Sequence, residues 1–503
     1  MARERSRSGS TTSTRPRLLV VSNRLPFTIR ASGRGRWTAT PGSGGLVTAL
    51  LPVLRDRGGV WIGWSGRAGP VRPVRSALAA AGKTAGCELE AVALSAEEIH
   101  AFYHGFSNEI VWPLFHDLPA FCNFDPAYWD AYRSVNRKFA RAVAARADPR
   151  DFVWVHDYHL MRVAHEMRAA GSRAHLGFFL HIPFPSPDIF SKLPWRRELL
   201  SALLQYDLVG FQTMHDRRNF TACLRLLDED LAVESRGTMV TIKRGRHTTR
   251  VAAFPISIDY NSFMRAAATT EVAAKARELH RLLPRRRLVL GIDRLDYTKG
   301  IALRLRAFAD LLERYPSMRG KVSLIQVVVP SREDVPEYAR MKTEIEQLVG
   351  RINGSFARPG GWVPVWYEYR SLTTLELLAY YRAADIALLT PLKDGMNLVA
   401  KEYCACSIEE DCVLVLSEFA GAAEQLRNGA LLVNPHDVQG VAAAIRAAYA
   451  MPVEERSARM RAMRRSIRRE DVFDWVESFM RAALARDVGS FPEWRAPLQS
   501  SAA

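Results

Sequence analysis

From Leu18 onward the sequence repeats one pattern: a short run that is apolar at every position, a polar or glycine-rich turn, and a stretch with helical periodicity. Fully apolar runs are typical of parallel strands that are covered on both faces. Between two of these runs, Ile301, Leu305, Phe308 and Leu312 recur at spacings of four, three and four, which predicts a helix. The predicted strands are 18–21, 152–155, 176–180, 208–211, 288–292, 324–329, 386–389 and 413–416. Alternating strands and helices predict a doubly wound α/β architecture.

The length of the chain, 503 residues, is too great for one compact core, so two such units are expected to face each other. We predict a Rossmann-like domain over 18–255, a second over 256–470, and a C-terminal helix over 471–485 that packs back across the domains. In that helix Phe473, Val476, Met480 and Leu484 fall on one face. Three further segments are expected to lie at the surface: a disordered basic tail (1–17), a loop or hairpin (30–41) and a C-terminal tail (486–503).

Charge and composition exclude several classes of protein. There are 70 Lys and Arg residues against 53 Asp and Glu, a net charge of +17, but the arginines lack an interleaved aromatic platform, so nucleic acid is not expected as a partner. No run approaches the ~18 apolar residues of a membrane span, so no membrane partner is expected either. Six cysteines form neither a disulfide framework nor a zinc pattern, and His156 and His159 would point to opposite faces of a strand. We expect a cytoplasmic protein with reduced thiols, no metal site and no cofactor.

Three segments contain residues that suit phosphate groups. Gly44 and Gly45 precede a predicted helix, where backbone amides could approach a phosphate, although a flexible turn has the same pattern. Arg294 and Lys299 lie five residues apart between a strand and a helix, and two cations there suit a diphosphate leaving group; the alternative is a pair of surface cations. The segment 394–402 begins a helix after a strand, so its amides could also reach a phosphate, the alternative being an ordinary capped helix.

Other polar residues that follow the predicted strands suit sugar hydroxyls. Asp157 could accept hydrogen bonds from hydroxyl groups or cap the next helix, and Glu402 could hold two ribose hydroxyls or be a surface residue. His181 is either structural or part of a reaction centre, and Arg332 adds a cation after another strand. Ligands bind at the carboxyl ends of strands in open α/β sheets. Together the segments indicate transfer of a sugar from a nucleotide diphosphate.

Nine sequence blocks follow one another along the chain: VVSNRLP (20–26), GGLVTAL (44–50), WIGWSG (61–66), FSNEIVWPLFH (106–116), VHDYHL (155–160), HIPFPSP (181–187), RLDYTKG (294–300), SRED (331–334) and DGMNLVAKEY (394–403). In this order they resemble the blocks of the trehalose-6-phosphate synthases, the retaining enzymes of glycosyltransferase family 20, which have the GT-B fold. The resemblance extends over about residues 18–485. It implies a fold of two Rossmann-like domains with a central cleft between them.

The resemblance also implies roles for individual residues. The implied catalytic residues are Arg294, Lys299, Asp157 and His181. The positions implied to bind the acceptor, glucose 6-phosphate, are Arg24, Tyr103, Trp112, Asp157 and Arg332. The positions implied to bind the nucleotide-glucose donor are Gly44, Gly45, Arg294, Lys299, Leu372, Asp394, Gly395, Met396, Asn397, Leu398, Val399 and Glu402.

The reaction implied is transfer of glucose from UDP- or GDP-glucose to glucose 6-phosphate, giving α,α-trehalose 6-phosphate with retention and without a metal. Two alternatives stay open: a related transferase with another phosphorylated acceptor, such as glycerol 3-phosphate, and a non-catalytic sugar-phosphate sensor. A homo-oligomer is a family-level expectation. No phosphatase region follows the match, so dephosphorylation of the product is expected of a separate protein. Uridine, guanosine and adenosine all stay open as the base of the donor.

Overall fold

A computed structural model describes residues 17–31, 37–42, 45–227, 231–331, 336–357 and 361–484. Its strands are β1 (Leu18–Arg24), β2 (Phe27–Ala31), β3 (Trp37–Pro41), β4 (Gly59–Ala68), β5 (Glu88–Leu94), β6 (Phe152–His156), β7 (His175–Phe179), β8 (Leu208–Phe211), β9 (Ala232–Arg236), β10 (Met239–Arg244), β11 (His247–Ala253), β12 (Arg287–Arg294), β13 (Val322–Val329), β14 (Val365–Tyr369), β15 (Ile386–Leu389), β16 (Val413–Ser417) and β17 (Leu431–Val433).

The α-helices are α1 (Gly45–Arg57), α2 (Arg75–Ala85), α3 (Ala96–Glu98), α4 (Trp112–Phe115), α5 (Pro126–Ala144), α6 (Val163–Ala169), α7 (Pro187–Phe190), α8 (Arg196–Leu203), α9 (Met214–Leu227), α10 (Tyr260–Ala267), α11 (Thr270–Leu282), α12 (Ile301–Arg314), α13 (Pro336–Phe356), α14 (Thr374–Ala383), α15 (Leu398–Cys406), α16 (Ala422–Leu426), α17 (Val438–Ala450), α18 (Val453–Arg469) and α19 (Val472–Leu484). A π-helical segment, Ile99–Val111, joins α3 to α4, and Tyr297–Lys299 forms a 3₁₀ turn before α12.

Two sheets organise the chain into two domains. The first has the strand order β5-β4-β1-β6-β7-β8-β11-β10-β9, and its strands are parallel except for the antiparallel β9–β10–β11 meander at one edge. The second has the order β14-β13-β12-β15-β16-β17 with parallel pairing throughout. Strands β2 and β3 form a separate hairpin. The predicted class, two doubly wound α/β domains, is therefore confirmed.

Each sheet is covered on both faces, as the fully apolar strands predict. In β1, Leu18 and Val20 belong to one buried cluster, whereas Leu19 and Val21 belong to another on the opposite face. The cluster that holds Leu18 and Val20 also holds Leu290 of β12, so one apolar layer runs through both domains. Burial on both faces also explains why these strands lack the apolar–polar alternation of a half-exposed sheet.

Several strands were not predicted from the sequence because their patterns are weaker. β4 is interrupted by glycine at three positions, and β5 alternates charged and apolar residues at an edge of its sheet. The β9–β11 meander contains charged and hydroxyl residues, while β17 has only three residues. The hairpin β2–β3 lies where a loop or hairpin was expected.

The C-terminal helix α19 packs on the first sheet. Phe479 is completely buried, with its ring stacked 4.2 Å from that of Trp154 in β6. Its ring also lies over two neighbouring strands, where a Cβ atom at Gly177 or Gly210 would come within 3.1 Å of it. At the C-terminal end of the helix, Arg250 of β11 donates hydrogen bonds to two backbone carbonyls. Helix α19 thus closes the core of the first domain.

The helix face predicted for α19 was wrong in part. Phe473 and Leu484 are 42% and 44% exposed, whereas Val476 and Met480 are buried. The buried face instead centres on Trp475 and Phe479, about one residue further round the helix, with Val472, Val476, Met480 and Ala483 beside them. Two overlapping stripes at helical spacing were available in the sequence, and the stripe with the larger aromatic side chains buries more apolar area.

We expect Phe479→Ala to destabilise the protein strongly, by about 3–5 kcal/mol, because it leaves a cavity against Trp154 and the two glycines. The matched control is Phe473→Ala in the same helix, which removes a side chain that is 42% exposed and should change stability by less than about 1 kcal/mol. Urea denaturation followed by tryptophan fluorescence compares the two variants. Equal losses would contradict the assignment of the buried face.

Candidate functional site

The two sheets place their polar strand ends at the points where the strand order reverses. In the first sheet the chain runs from β1 outward through β4 and β5, then returns to form β6 on the other side of β1. In the second, β12 is flanked by β13 on one side and β15 on the other. Such reversals leave a crevice at the carboxyl ends of the strands, where open α/β sheets bind ligands. Arg24 and Asp157 lie at the first crevice, and Arg294, Lys299 and Asp394 lie at the second.

Arg24 ends β1 inside an aromatic cage. The carbon of its guanidinium lies 4.2 Å from the centroid of the Trp64 ring and 5.7 Å from that of Tyr103. Tyr103 in turn stacks on His159 at 5.8 Å. Gly66 lies against the guanidinium, and a Cβ atom there would come 2.0 Å from Nη1. The cage holds the cation in one place by cation–π attraction and leaves its donors for an anion.

Asp157 follows β6 in a conformation that is uncommon for a residue with a side chain, with φ of 75°. Its carboxylate accepts a hydrogen bond from the backbone amide of His181, 3.3 Å away. Burial nevertheless raises the pKa of Asp157 to about 7, and hydrogen bonds from the Tyr158 and His181 amides offset only part of this effect. A strained backbone and a destabilised carboxylate in one residue are typical of functional sites.

His181 follows β7 and is neutral at physiological pH. Burial lowers the pKa of its imidazole to about 3, and the Nε2 atom lies 3.2 Å from Nδ1 of His156. The pKa of His156 is also lowered well below its ordinary value by burial. Neither histidine can therefore store a proton near pH 7, so a role of His181 in the reaction is one of contact and orientation.

The loop that follows β15 brings the second domain against His181. A Cβ atom on Gly395 would lie only 2.2 Å from the carbonyl oxygen of His181, so glycine is required for this approach. Two further contacts connect the domains beside it: an ion pair between Lys393 and Asp117, and a stacked pair of rings from Phe121 and Tyr297, 5.3 Å apart. The two crevices are therefore joined at the level of the strand ends.

The second crevice carries the predicted cations. Arg294 is exposed at the end of β12, while Nζ of Lys299 lies 2.6 Å from Oδ2 of Asp394. Burial alone would raise the pKa of Asp394, but the ammonium of Lys299 outweighs it and holds this pKa below its ordinary value. Asn397, with φ of 77°, caps α15 by accepting a hydrogen bond from the amide of Ala400. The turn presents the first amides of α15 beside Lys299, an arrangement that suits a phosphate.

Glu402 lies in the second turn of α15 and is only partly exposed. Its Oε2 atom accepts a hydrogen bond from the hydroxyl of Tyr381 at 2.7 Å, while burial raises the pKa of the carboxyl group. The hold on two ribose hydroxyls stays a prediction. Since Glu402 is half-buried and accepts a hydrogen bond from Tyr381, it is not the surface residue of the alternative interpretation.

The remaining predicted residues fall into three groups. Met396 is buried and Leu398, Val399 and Leu372 are half-buried around the second crevice. Trp112 is 7% exposed and its ring lies 4.3 Å from that of His116, whose pKa burial lowers to about 4. Gly45 begins α1, whereas Gly44 and Arg332 lie outside the described residues.

Sequence reasoning missed residues that complete the site. Trp64, which packs on Arg24, lies in the quoted block WIGWSG but had no role assigned, and His159, Asp117 and His116 were also unassigned. Trp64, His116 and His159 lie in the sequence blocks described above, which was the only signal for them, and Asp117 lies just after one of these blocks. The pairing of Asp117 with Lys393, 276 residues away, cannot be predicted from spacing. Within the described residues, no group of three or more His, Cys, Asp or Glu could hold a metal ion, and no helix is long and apolar enough to cross a membrane.

Because the pKa of Asp157 is raised to about 7 in the folded state, ionising it opposes folding. The penalty grows as pH rises from about 4, the pKa of an unfolded aspartate, to about 7, and it stays constant above that. We expect Asp157→Asn to raise the melting temperature at pH 8 more than at pH 5, since asparagine carries no charge and tolerates a positive φ. Calorimetry at both pH values measures this. A variant equally or less stable than wild type at pH 8 would contradict the raised pKa.

Comparison with known proteins places the chain in a family. The model of glycosyltransferase family 20 matches residues 16–485. The trehalose-6-phosphate synthase of Mycolicibacterium smegmatis is 43% identical over 475 residues, which cover 93% of this chain and 92% of that protein. The bifunctional trehalose-6-phosphate synthase/phosphatase of Thermoproteus tenax is 44% identical over 478 residues, and the match covers 92% of this chain but 63% of that longer protein.

A solved structure agrees with this placement. An alpha,alpha-trehalose-phosphate synthase (UDP-forming) from Burkholderia xenovorans, in complex with glucose-6-phosphate, has a TM-score of 0.82 and 36% identity over 93% of this chain and 100% of that one. This similarity confirms the predicted GT-B fold. With a family match over nearly its whole length, the chain belongs to glycosyltransferase family 20.

Proposed function

We propose that this glycosyltransferase moves glucose from a nucleotide diphosphate glucose to glucose 6-phosphate, giving α,α-trehalose 6-phosphate and the nucleoside diphosphate. The observation that carries the proposal is the pair of crevices: caged Arg24 beside Asp157 on one wall, and Arg294 with Lys299 on the other. Two anionic substrates need two separate cationic anchors, placed so that the reacting ends of the two substrates meet. The relative solved with glucose-6-phosphate supports the choice of acceptor.

Glucose 6-phosphate is proposed to bind the wall of the first domain. The phosphate pairs with the guanidinium of Arg24, which the rings of Trp64 and Tyr103 hold in position, and Arg332 is proposed as a second cation. The Tyr103 hydroxyl is proposed as a further donor to the phosphate. Asp157 accepts hydrogen bonds from sugar hydroxyls, and the ring of Trp112 lines the reaction centre.

The donor is proposed to bind the wall of the second domain. Lys299 has three N–H donors, of which one is directed to Asp394, so two are left for the diphosphate. Arg294 and the first amides of α15 share the charge of the phosphates, while Glu402 and the backbone at Leu372 are proposed to hold the nucleoside. UDP-glucose is the first donor to test, because the Burkholderia relative is described as UDP-forming.

We propose front-face transfer with retention. The bond between C1 of glucose and the phosphate oxygen breaks while a bond to the acceptor hydroxyl oxygen forms on the same face. The proton of that hydroxyl passes to the departing phosphate oxygen. One observation supports a mechanism in which His181 is not the base: burial lowers the pKa of its imidazole to about 3, which makes it a poor proton acceptor. Asp157 is proposed to bind acceptor hydroxyls and not to take the proton. Arg294 and Lys299 stabilise the negative charge that develops on the leaving group.

Four further proposals come from the sequence. The reaction is proposed to need no metal and no cofactor, because the two cations supply the charge that a divalent ion would provide. The protein is proposed to be cytoplasmic and homo-oligomeric. A separate phosphatase is proposed to remove the phosphate of the product.

An assay of the purified protein without added metal tests the proposed reaction. It crosses UDP-, GDP- and ADP-glucose with glucose 6-phosphate, glycerol 3-phosphate and free glucose, and it resolves products by mass spectrometry and anomeric NMR. We expect α,α-trehalose 6-phosphate only where glucose 6-phosphate is supplied. If glycerol 3-phosphate is the only acceptor that gives a glucosyl product, the protein is a related transferase with a different acceptor. If the nucleotide-glucose binds but no product forms with any acceptor, the protein is a sensor.

We also expect Lys299→Ala to lower kcat by roughly 10²–10³, because it removes a preorganised charge at the leaving group. The matched control is Lys243→Ala, which removes an exposed lysine of β10 that pairs with Glu234 at the surface. Circular dichroism checks that both variants fold, and initial rates with both the nucleotide-glucose and glucose 6-phosphate saturating give kcat. Near-normal turnover of folded Lys299→Ala would exclude Lys299 from leaving-group stabilisation.

A further inference from the structure

The chain crosses between the two domains at two neighbouring places. It leaves the first domain through the segment 254–259, which has no regular secondary structure before α10, and returns at the start of α19. The amide of Val472 donates a hydrogen bond to the carbonyl of Ile258, so the two crossings are in contact. Any change in the angle between the domains must pass through these few residues.

Lys401 reaches this crossover from the donor wall. It lies in α15 directly before Glu402, its side chain is completely buried, and its Nζ atom donates a 2.8 Å hydrogen bond to the carbonyl oxygen of Ile256. Burial lowers the pKa of Lys401 to about 7, with Glu470, just before the return crossing, opposing this. A buried amine is costly, and an apolar side chain of similar length would fill the same space without that cost.

The backbone of Ile256 continues this line toward the reaction centre. Its amide donates a 2.9 Å hydrogen bond to Oε1 of Gln212, a residue 2% exposed directly after β8. Because a backbone N–H can only donate, the side-chain atom facing it must be the oxygen, and this fixes the orientation of the amide group. The Nε2 atom of Gln212 therefore faces Nδ1 of His181, at 3.5 Å.

This orientation also fixes the tautomer of His181. An amide NH₂ group can only donate, so Nδ1 must accept and the hydrogen of the neutral imidazole lies on Nε2. That hydrogen is directed at Nδ1 of His156, 3.2 Å away. The contacts form one continuous line from the donor helix through the crossover to the reaction centre: Lys401, Ile256, Gln212, His181 and His156.

We propose that Gln212 and Lys401 are positioning residues for the transfer reaction, a proposal that rests on the proposed function of the cleft. Gln212 holds His181 in the Nε2–H tautomer, and Lys401 fixes the crossover to the helix that carries Glu402. The same line keeps the carbonyl of His181 in register with Gly395, where the two walls meet. Neither side chain is required to touch a substrate.

The Gln212 part is tested by imidazole ¹⁵N NMR of selectively labelled protein, with His181 assigned by the signals lost in His181→Asn. We expect wild type to show the Nε2–H tautomer. Gln212→Glu retains an oxygen for the Ile256 amide but replaces the NH₂ donor by a second acceptor, so Nδ1 of His181 should become protonated. The control Gln205→Glu changes a half-buried glutamine away from this line and should leave the signals unchanged. An Nδ1–H tautomer in wild type, or an unchanged tautomer in Gln212→Glu, would overturn the assignment.

The Lys401 part is tested by kinetics. Lys401→Met keeps the length of the buried side chain and removes the hydrogen bond to Ile256. Because Lys401 holds the helix that carries Glu402, we expect KM for the nucleotide-glucose to rise about 10-fold, the effect of one lost hydrogen bond, and an unchanged KM would overturn this role. KM for glucose 6-phosphate should change less than about 3-fold, since the acceptor anchors lie on the other wall. Lys243→Met, at an exposed lysine of β10, serves as the surface control.

A double variant tests whether the two residues act as one line. If they do, the fold-loss of kcat/KM in the double variant Gln212→Glu/Lys401→Met should be smaller than the product of the fold-losses in the two single variants. A double loss equal to that product would overturn the coupling. The NMR result needs no turnover. A wrong acceptor or donor would therefore abolish the kinetics without changing the tautomer, and failure of the proposed function can be distinguished from failure of this inference.

Discussion

The contact between the backbone of Gly395 and the carbonyl of His181 is the constraint on which the cleft depends. It requires a residue without a Cβ atom, since any side chain at 395 would overlap the neighbouring domain. It also sets the relative height of the two crevices, so that the groups after β6 and β7 face those after β12 and β15. Two sheets with reversals at matching heights make one reaction site out of two separate ligand sites.

A second physical feature is the number of buried ionisable groups near this contact. Burial raises the pKa of Asp157 to about 7 and lowers that of His181 to about 3, whereas the neighbouring ammonium of Lys299 holds the pKa of Asp394 below its ordinary value. The two groups whose charged forms burial disfavours thus lie on the proposed acceptor wall beside Arg24, and the ion pair lies where the diphosphate is proposed to bind. This distribution agrees with chemistry that stabilises a leaving group and needs no protein acid or base.

Much of this arrangement could be predicted from the sequence, because parallel strands have fully apolar runs and their ends are short blocks of polar residues. The position of Arg294, Lys299 and Asp157 just at or after strand ends was predicted in this way. The line from Lys401 to Gln212 and His181 could not be found, since its members are 145, 44 and 31 residues apart and pair only after both domains have folded. The buried face of α19 was misjudged for a similar reason: helical spacing allows two stripes, and only the first sheet decides between them.

The most direct test of the proposal that the two substrates bind opposite walls of the cleft is a crystal structure with UDP and glucose 6-phosphate bound together. We predict that the phosphate of glucose 6-phosphate lies at Arg24, in the cage of Trp64 and Tyr103, and that the diphosphate of UDP lies at Arg294 and Lys299. We further predict that the acceptor hydroxyl and the terminal phosphate of UDP approach each other beside His181. Both ligands on one wall, or the acceptor phosphate bound away from Arg24, would contradict the proposal.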